Sequence, residues 1–388
     1  MTQPAIVGGC LTFQEAMSLI PLPDKVDGDG KFVKRYMSRR RPWVPGRDLL
    51  DGKLPIHLDA AAFGGHVYSQ AGMAASRAFL ETRAAATATR NGRADKQFGI
   101  HTIHGYFSEA GLPDRPFFYD VSTVAANPSF MNLLVTARQP TRPSSNPAGD
   151  PYPASPPGDE PPLGPVRFTA LVSLRPAGLS QLSISEVPAQ QRFADVLSSR
   201  APSAWPPAPN VDIAAVMEKL GSATQTTTFP GLEMRKVDLS SYNAGRALPE
   251  RRELILYRLL APLKEEEEGN GGCDAHILAH AYGADRNGLL MVGNHAGFGY
   301  DLGRAASLSY SFVVHVNPAD AVMAYSNTDD VDNLDEWWVQ EACFPRVEAG
   351  RAIIMSKIWS PVGVHVATMY QDGILRRNWR PGEREGKL

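Results

Sequence analysis

The sequence has few cysteines, little net charge and no long apolar run. Its cysteines, Cys10, Cys273 and Cys343, are widely spaced and odd in number. They provide neither a disulfide framework nor a CxxC metal pair, which indicates a reducing compartment. A formal net charge of −2 supplies no global positive field, so we expect no nucleic-acid partner. No segment approaches the roughly 18 consecutive apolar residues that favour a membrane span, so we expect none.

Signature motifs of several enzyme classes are also absent. No GxGxxG follows a predicted strand, and neither a P-loop nor a GxSxG sequence occurs. These motifs are typical of dinucleotide binding, phosphoryl transfer and serine hydrolysis. The sequence therefore favours none of these three chemistries.

Two short segments carry signals of their own. The stretch "KRYMSRRR" (34–41) departs from the balanced charge; we expect a solvated, mobile segment, with contact to phosphates of a nucleotide-bearing substrate as the alternative. The last residues, Gly386, Lys387 and Leu388, differ by one residue from the Ser-Lys-Leu signal that the peroxisomal import receptor reads. This similarity predicts a peroxisomal location, and a cytoplasmic one if the signal is not used.

The length predicts more than one domain. Dividing 388 residues by about 150 suggests two or three domains. Pro, Ser, Gly and Asp dominate residues 139–165, which cannot bury enough apolar area to offset their ordering entropy, so we predict a disordered insertion there. A second Pro-rich stretch predicts a linker over 191–228. The predicted domains are then residues 1–190 and residues 229–388.

The same order of elements is predicted on both sides of this linker. In each half a helix rich in small residues, at 61–82 and at 273–285, precedes antiparallel strands. This favours an α+β architecture in which two antiparallel sheets each wrap around a central helix. Thr12 and Glu15 have capping-box spacing for a further short helix through about Ile20. The predicted strands are 100–107, 116–124, 130–138, 166–174, 231–239, 305–316, 336–344, 350–359 and 364–375.

Three polar residues interrupt apolar elements in the second half. Asp285 ends the predicted helix, Ser307 opens a predicted strand, and Gln371 lies in the last predicted strand. A carboxylate, a hydroxyl and a carboxamide can hold one water between them, because the carboxylate accepts its proton while the other two groups orient it. Their spacing does not show that they converge, so a structural role stays open for each of them.

Five segments occur together in an order that is typical of one enzyme family. They are "FGGHVYSQA" (63–71), "IHTIHGYFSEAG" (100–111), "YGADRNGLL" (282–290), "ASLSYS" (306–311) and "YQDGILR" (370–376). In order and in spacing they resemble the type II acyl-CoA thioesterases, which are double-hotdog enzymes. The resemblance covers most of residues 10–138, 166–190 and 230–378, and leaves out the Pro-rich insertion.

The resemblance implies an activity and a site. The family hydrolyses acyl-CoA to a free carboxylic acid and CoA, using a water held by an Asp, a Ser or Thr, and a Gln. These roles fall on Asp285, Ser307 and Gln371. No metal or organic cofactor is implied, and hotdog sheets commonly pair, which favours a homo-oligomer. Asp372, where the family usually has Glu, is interpreted as a structural neighbour of the turn. The substrate-binding residues implied are Gly64, Gly65, His66 and Gly288.

The sequence also departs from the family pattern. Ser309 and Tyr310 stand where the family usually has Asp and His, which predicts altered strand packing or an altered acyl pocket. His66 replaces the usual Gln, and the segment between Val316 and Asp335 is longer than expected. These departures favour a specialised member that serves a fatty-acyl pathway or a polyketide-derived, secondary-metabolite pathway.

Two alternatives to hydrolysis remain. A hotdog hydratase acting on enoyl-CoA normally uses an Asp and a His a few residues apart after a Gly, and no such segment occurs. A non-catalytic acyl-CoA-binding hotdog protein would explain the altered pair Ser309 and Tyr310. The presence of Asp285, Ser307 and Gln371 argues against it.

Histidines and tryptophans outside these motifs are interpreted as packing residues. His101 and His104 are expected to point to opposite faces of a strand. His276 and His280 share a helix face, but a third metal ligand is lacking nearby. The pair Trp337 and Trp338 is predicted to pack between the sheet and the linker.

Overall fold

The computed structural model describes residues 6–7, 10–44, 61–87, 97–147, 151–154, 159–208, 229–263, 272–286, 288–296, 302–325 and 334–377. The strands are β1 (Ile6–Val7), β2 (Cys10–Leu11), β3 (Leu19–Val26), β4 (Phe32–Ser38), β5 (Phe98–Phe107), β6 (Phe118–Asn127), β7 (Phe130–Pro140), β8 (Leu163–Pro176), β9 (Leu232–Val237), β10 (Glu253–Leu259), β11 (Leu302–Val314), β12 (Trp338–Glu348), β13 (Arg351–Trp359) and β14 (His365–Arg377). The helices are α1 (Phe13–Ala16), α2 (Gly64–Thr87), α3 (Ala189–Arg192), α4 (Ala194–Leu197), α5 (Ser240–Asn243), α6 (Gly272–Ala284) and α7 (Gly288–His295).

Twelve of these strands form one antiparallel sheet. Its order is β3-β4-β6-β7-β8-β5-β11-β14-β13-β12-β10-β9. The first six strands come from the N-terminal half and the last six from the C-terminal half. Read from each outer edge toward the centre, the two halves have the same strand order, so β3 corresponds to β9 and β5 to β11. The halves join where β5 pairs with β11, between Tyr106 opposite Ser309 and Thr102 opposite Val313. The sheet therefore runs without interruption from one half into the other.

Two helices fill the inner side of this sheet and run in opposite directions. The Ser69 hydroxyl of α2 donates to the Leu278 carbonyl of α6 at 3.2 Å, and the Ser76 hydroxyl donates to the Asp274 carboxylate. Between them, a Cβ added to Gly72 would lie 2.3 Å from Leu278 Cδ2. Only a glycine permits so close an approach. The small residues noted in the sequence thus bring the two helices together.

A second apolar cluster lies on the outer side of the C-terminal half. The segment from Ala189 to Trp205 packs there onto strands β9, β10, β12 and β13. Trp337 belongs to this cluster, as the sequence predicts. Trp338 instead faces inward, where its ring centroid lies 4.2 Å from that of His280. The pair divides because neighbouring residues of an extended chain point to opposite faces.

The basic stretch 34–41 is not the mobile segment that the sequence predicts. Most of it is β4, with Tyr36 and Met37 buried. Lys34 pairs with Asp24 at 2.9 Å and with Glu81 at 3.0 Å. Arg35 and Arg40 also pair with acidic side chains, Asp120 and Glu15, while the apolar residues of the stretch enter the core.

The predicted disordered insertion 139–165 is also wrong in its described parts. β7 and β8 continue into it from both ends, and the Thr141 N–H donates to the Pro162 carbonyl at 2.9 Å. Tyr152 is buried, and its hydroxyl donates to the Pro113 carbonyl at 2.9 Å. One aromatic side chain supplies the apolar burial that the average composition of the segment lacks.

Other elements differ from expectation in length or number. α1 has the predicted cap, since Thr12 Oγ1 accepts from the Glu15 N–H at 3.3 Å, but the helix ends at Ala16 and β3 follows. The sequence does not predict β3, β10 or α7. Most of the charged run 264–272 and the residues Gly386, Lys387 and Leu388 lie outside the described residues. Across the described chain, none of the helices has the length and apolarity to cross a membrane.

Candidate active site

Gln371 lies at the centre of the candidate site, on the inward face of β14. Ala367, Met369 and Gln371 alternate along the strand and all point inward. The side chain of Gln371 is 2% exposed. Its Nε2 donates to Asp285 Oδ1 at 2.5 Å and to Ser307 Oγ at 2.7 Å. The structure therefore brings together the three polar residues that the sequence singled out.

Ser307 points inward because β11 contains a β-bulge. The pairing with β14 shifts between Ser307 opposite Gly373 and Ser309 opposite Asp372, so Leu308 is an extra residue. Tyr310 points inward, so if side chains alternated regularly between the two faces of β11, Ser307 would point to the outer face. The extra residue reverses this and aims the hydroxyl at Gln371. Ser307 thus lies in the middle of its strand, not at the predicted start.

Asp285 follows the last residue of α6 and is 6% exposed. Burial raises the pKa of its carboxyl from 3.8 to about 7, because the charged form loses its hydration. Hydrogen bonds from the Gly65 N–H and the Gln371 side chain oppose this rise in pKa. The result is a carboxylate that exchanges its proton near neutral pH, which suits a general base.

Glycines surround the carboxylate and the carboxamide. A Cβ on Gly64 would lie 3.1 Å from Asp285 Oδ2, and one on Gly65 would lie 3.1 Å from Asp285 Cβ. A Cβ on Gly288, in α7, would lie 2.2 Å from Gln371 Oε1. Three of the four predicted substrate-binding residues therefore lie against Asp285 or Gln371. These two residues and Ser307 are called the trio below. The Gly288 N–H donates to the Asp285 carbonyl at 3.3 Å, so it belongs to the turn between α6 and α7.

His66, the fourth predicted binding residue, lies in the first turn of α2 with its ring fully buried. Burial lowers the pKa of the ring to about 3, so it is neutral. No hydrogen bond joins it to the trio among the described residues. A contact between His66 and substrate stays a prediction.

Asp372 has the opposite orientation to its neighbour Gln371. It lies on the outer face of the sheet, where Arg351 Nη2 bonds to its Oδ2 at 2.5 Å. Successive strand residues point to opposite faces, so one of the two polar residues enters the site and the other does not. The predicted turn beside Asp372 is wrong, because Asp372 lies in the middle of β14 and pairs with Ser309 and Ile353. Its ion pair with Arg351 gives it a structural role on the outer face.

His104, His276 and His280 have hydrogen-bond partners away from Asp285, Ser307 and Gln371. His280 bonds to the Tyr257 hydroxyl and the Ala321 carbonyl, each at 2.8 Å, and His276 Nδ1 accepts from the Met323 N–H at 3.1 Å. His104 Nδ1 lies 3.0 Å from Ser311 Oγ on the outer face. In the described ranges no three His, Cys, Asp or Glu side chains are placed to hold a metal ion.

Several apolar residues next to the trio are missed by the sequence reasoning. Phe107 of β5 would lie 3.3 Å from a Cβ on Gly64, and Leu289 of α7 would lie 2.7 Å from one on Gly373. Tyr310 is directly opposite Gln371 on β11. The sequence offers one signal for these contacts, the departure at Ser309 and Tyr310, and it does not indicate the direction of the side chain.

Comparison with solved structures gives the fold. An acyl-CoA thioesterase II, TesB2, from Mycobacterium marinum is 18% identical with a TM-score of 0.53, over 96% of this chain and 99% of that chain. A TesB protein from Mycobacterium avium subs paratuberculosis is 16% identical with a TM-score of 0.51, over 94% and 98%. A hot dog fold protein of unknown function from Alicyclobacillus acidocaldarius is 12% identical with a TM-score of 0.50, over 94% and 97%. No family model and no curated protein matches the sequence.

These likenesses extend over nearly the whole chain; one of the three structures is an acyl-CoA thioesterase II and another is a TesB protein. They confirm, at the level of fold, the resemblance that the sequence motifs indicate. The protein therefore has a hotdog fold of the kind found in type II acyl-CoA thioesterases. At these identities the likeness describes the fold alone, so the activity has to be argued from the site.

Proposed function

We propose that this protein is an acyl-CoA thioesterase, which hydrolyses acyl-CoA to a free carboxylic acid and CoA. The observation that supports this most is the double hydrogen bond of Gln371 to Asp285 and Ser307. A water that donates to the Asp285 carboxylate is then within reach of both other side chains. We assign Asp285 as the general base, and Ser307 and Gln371 as the residues that orient the water.

The proposed reaction needs one proton carrier. The water oxygen bonds to the thioester carbonyl carbon while Asp285 takes a proton from the water. The resulting tetrahedral intermediate loses its carbon–sulfur bond, and the thiolate leaves. The proton held by Asp285 passes to the sulfur, which gives CoA, the free acid and the original carboxylate. A carboxyl group with a pKa of about 7 can perform both transfers near neutral pH.

We also propose a double-hotdog arrangement, in which residues 1–190 and 229–388 are the two hotdog units. The identical order of six strands in each half supports it, as does the placement of α2 and α6 between corresponding strands. The homo-oligomer, the peroxisomal location through Gly386, Lys387 and Leu388, and a specialised fatty-acyl or polyketide-derived pathway stay predictions.

Release of free thiol from acyl-CoA esters tests the activity. A panel from acetyl-CoA to long-chain and branched esters is incubated with the protein and a thiol-reactive dye. We expect release from at least one ester, and a loss of about 100- to 10,000-fold in kcat for Asp285→Asn. The matched control is Asp372→Asn, because Asp372 lies on the outer face of the same sheet with Arg351. That variant should keep its rate.

A binding measurement separates the enzyme from the non-catalytic alternative. If the native protein binds acyl-CoA in calorimetry but releases no thiol from any ester, the protein is an acyl-CoA-binding protein. If thiol is released and Asp285→Asn releases it equally fast, the proposed hydrolase activity is supported and the assignment of Asp285 as its general base is contradicted.

A further inference from the structure

The interior beside the trio is occupied by Tyr310. Tyr310 and Gln371 lie directly opposite each other on β11 and β14, which places their Cβ atoms about 5 Å apart. Tyr310 is 1% exposed, and its hydroxyl donates to the Ala281 carbonyl of α6 at 2.7 Å. The side chain therefore reaches from the sheet to the helix, one helical turn before Asp285.

Tyr68 of α2 packs against the ring of Tyr310, and the two side chains together form a barrier in the interior. Its ring centroid lies 4.2 Å from that of Tyr310. It is fully buried, and its hydroxyl donates to the Ile103 carbonyl of β5 at 2.8 Å. Both hydroxyls of this tyrosine pair, Tyr68 and Tyr310, are thus fixed to backbone carbonyls. Neither ring can turn aside without leaving its buried hydroxyl unpaired.

The interior behind the tyrosine pair is closely packed as well. A Cβ on Gly105 would lie 2.3 Å from Phe168 Cζ, and one on Gly72 would lie 2.3 Å from Leu278 Cδ2. On the side of α7, a Cβ on Gly288 would lie 2.2 Å from Gln371 Oε1, so this helix packs directly against the carboxamide. Among the described residues at the site, Ser307 and Phe107 are half-buried while Asp285, Gln371 and Tyr310 are buried, so the solvent-exposed side is that of Ser307 and Phe107.

These contacts limit the acyl group of any thioester held at the trio. Its carbonyl carbon has to lie beside Asp285, Ser307 and Gln371, and its chain would extend inward between the helices and the sheet. With Tyr310 about 5 Å from Gln371 at the Cβ atoms, only a few methylene groups fit before the chain meets the ring.

We infer that the tyrosine pair sets acyl-chain length and that the substrates are short-chain acyl-CoAs, from acetyl to butanoyl. This inference rests on the proposed thioesterase function and names the substrate class of the same site. Tyr310 is the primary determinant, since it is the residue adjacent to Gln371. Tyr68 acts behind it by holding the ring of Tyr310 in place.

The chain-length profile of kcat/KM tests this inference. Acetyl-, butanoyl-, hexanoyl-, octanoyl- and lauroyl-CoA are compared for the native protein, Tyr310→Phe and Tyr310→Ala. Each methylene group that finds apolar cover contributes about fourfold in affinity. We expect the native profile to fall from butanoyl to octanoyl. We expect Tyr310→Ala to raise the octanoyl-to-butanoyl ratio about tenfold or more, which corresponds to two or three newly covered methylene groups.

The phenylalanine variant is the matched control, because it keeps the ring and loses the hydroxyl. It should shift the profile less than Tyr310→Ala does, because the ring still occupies the interior although its hydrogen bond to Ala281 is lost. If Tyr310→Ala does not fold, Tyr68→Leu tests the same barrier from α2 and should shift the profile in the same direction. A native preference for octanoyl or lauroyl would overturn the inference, and so would a folded alanine variant with an unchanged profile.

Binding to Asp285→Asn distinguishes this inference from the proposed activity. Dissociation constants of the same esters are measured with that variant and with Asp285→Asn combined with Tyr310→Ala. An absence of thiol release by the native protein would contradict the activity alone. The limit on chain length is then tested by binding alone. A preference for short chains that is lost in the double variant supports the limit. Tight binding of lauroyl-CoA to Asp285→Asn with Tyr310 intact contradicts it.

Discussion

At the scale of the residue, the burial of Asp285 gives the site its chemical character. An exposed aspartate would be ionised at neutral pH but too weak a base to take a proton from water efficiently. Here the loss of hydration raises the pKa of the carboxyl to about 7. Gln371 and the Gly65 N–H keep the ionised form accessible by hydrogen bonding to it. The same burial that disfavours the charge makes it a stronger base.

The pH dependence of turnover follows from this pKa. Because the base has to be ionised, we expect kcat/KM to rise with pH through a midpoint of about 7 and to level off at higher pH. The pKa of Asp285 is higher in the folded state than in the unfolded chain, so its contribution to the free energy of unfolding is fully present below pH 3.8 and is lost as pH rises to about 7. Rates of thiol release across this range measure the midpoint.

Asp274 provides the control for this prediction. Burial also raises the pKa of its carboxyl, to about 6, but it bonds to the Ser76 hydroxyl and the Ile100 N–H, away from the trio. Asp274→Asn should therefore leave the midpoint unchanged. A flat pH profile in the native protein, or a midpoint that moves with Asp274, would show that another group limits the reaction.

At the scale of the element, the site depends on how closely α7 approaches β14. Gly288 of α7 leaves room for the carboxamide of Gln371, and Gly373 of β14 leaves room for Leu289. Helix and strand can then hold the side chain of Gln371 from both sides. A small displacement of the helix would move Gln371 relative to Asp285 and Ser307.

We therefore expect Gly288→Ala to reduce kcat. The new Cβ would lie 2.2 Å from Gln371 Oε1, so the carboxamide has to move, and a shift of this size in a positioning group costs on the order of 100-fold in rate. Overpacking should also lower the free energy of unfolding by about 1–3 kcal/mol. Leu290→Ala, at an exposed position of the same helix, should retain activity. Equal rates for the native protein and Gly288→Ala would refute the close contact.

The elements also show how far the sequence could predict the structure. The strands from β5 to β8 and from β11 to β14 were predictable because apolar residues alternate in them. β3 was not, since it contains Pro21 and Pro23, which an edge strand tolerates because one side of its backbone is unpaired. β4 was not predicted because the charges of Lys34 and Arg35 suggested a solvated segment.

The candidate site was predictable to a similar extent. Gln371 and Asp285 stand out because each polar residue follows an apolar run. Ser307 also stands out as a polar residue at the start of a predicted strand. The inward direction of its side chain was not predictable, because the bulge is a property of the pairing between β11 and β14. Tyr68 and Tyr310 are far apart in sequence, and only the packed structure shows that they meet.

At the scale of the whole molecule, the site lies where the two halves of the chain meet. Asp285, Ser307 and Gln371 come from the C-terminal half, and the glycines at the start of α2 come from the N-terminal half. The β5–β11 pairing and the antiparallel helices α2 and α6 hold these parts in register. The sequence predicted the catalytic residues in the C-terminal domain and binding residues at the start of α2. The structure shows Gly64 and Gly65 of α2 close to Asp285.

The most direct test of the account is the source of the oxygen in the product acid. A single turnover of butanoyl-CoA, with protein in excess, is run in water enriched in oxygen-18 and analysed by mass spectrometry. If Asp285 activates a water, butanoic acid acquires one heavy oxygen and the peptide containing Asp285 acquires none. Label in that peptide would mean that Asp285 attacks the thioester itself, and the absence of acid from every ester of the thiol-release panel would contradict the hydrolase.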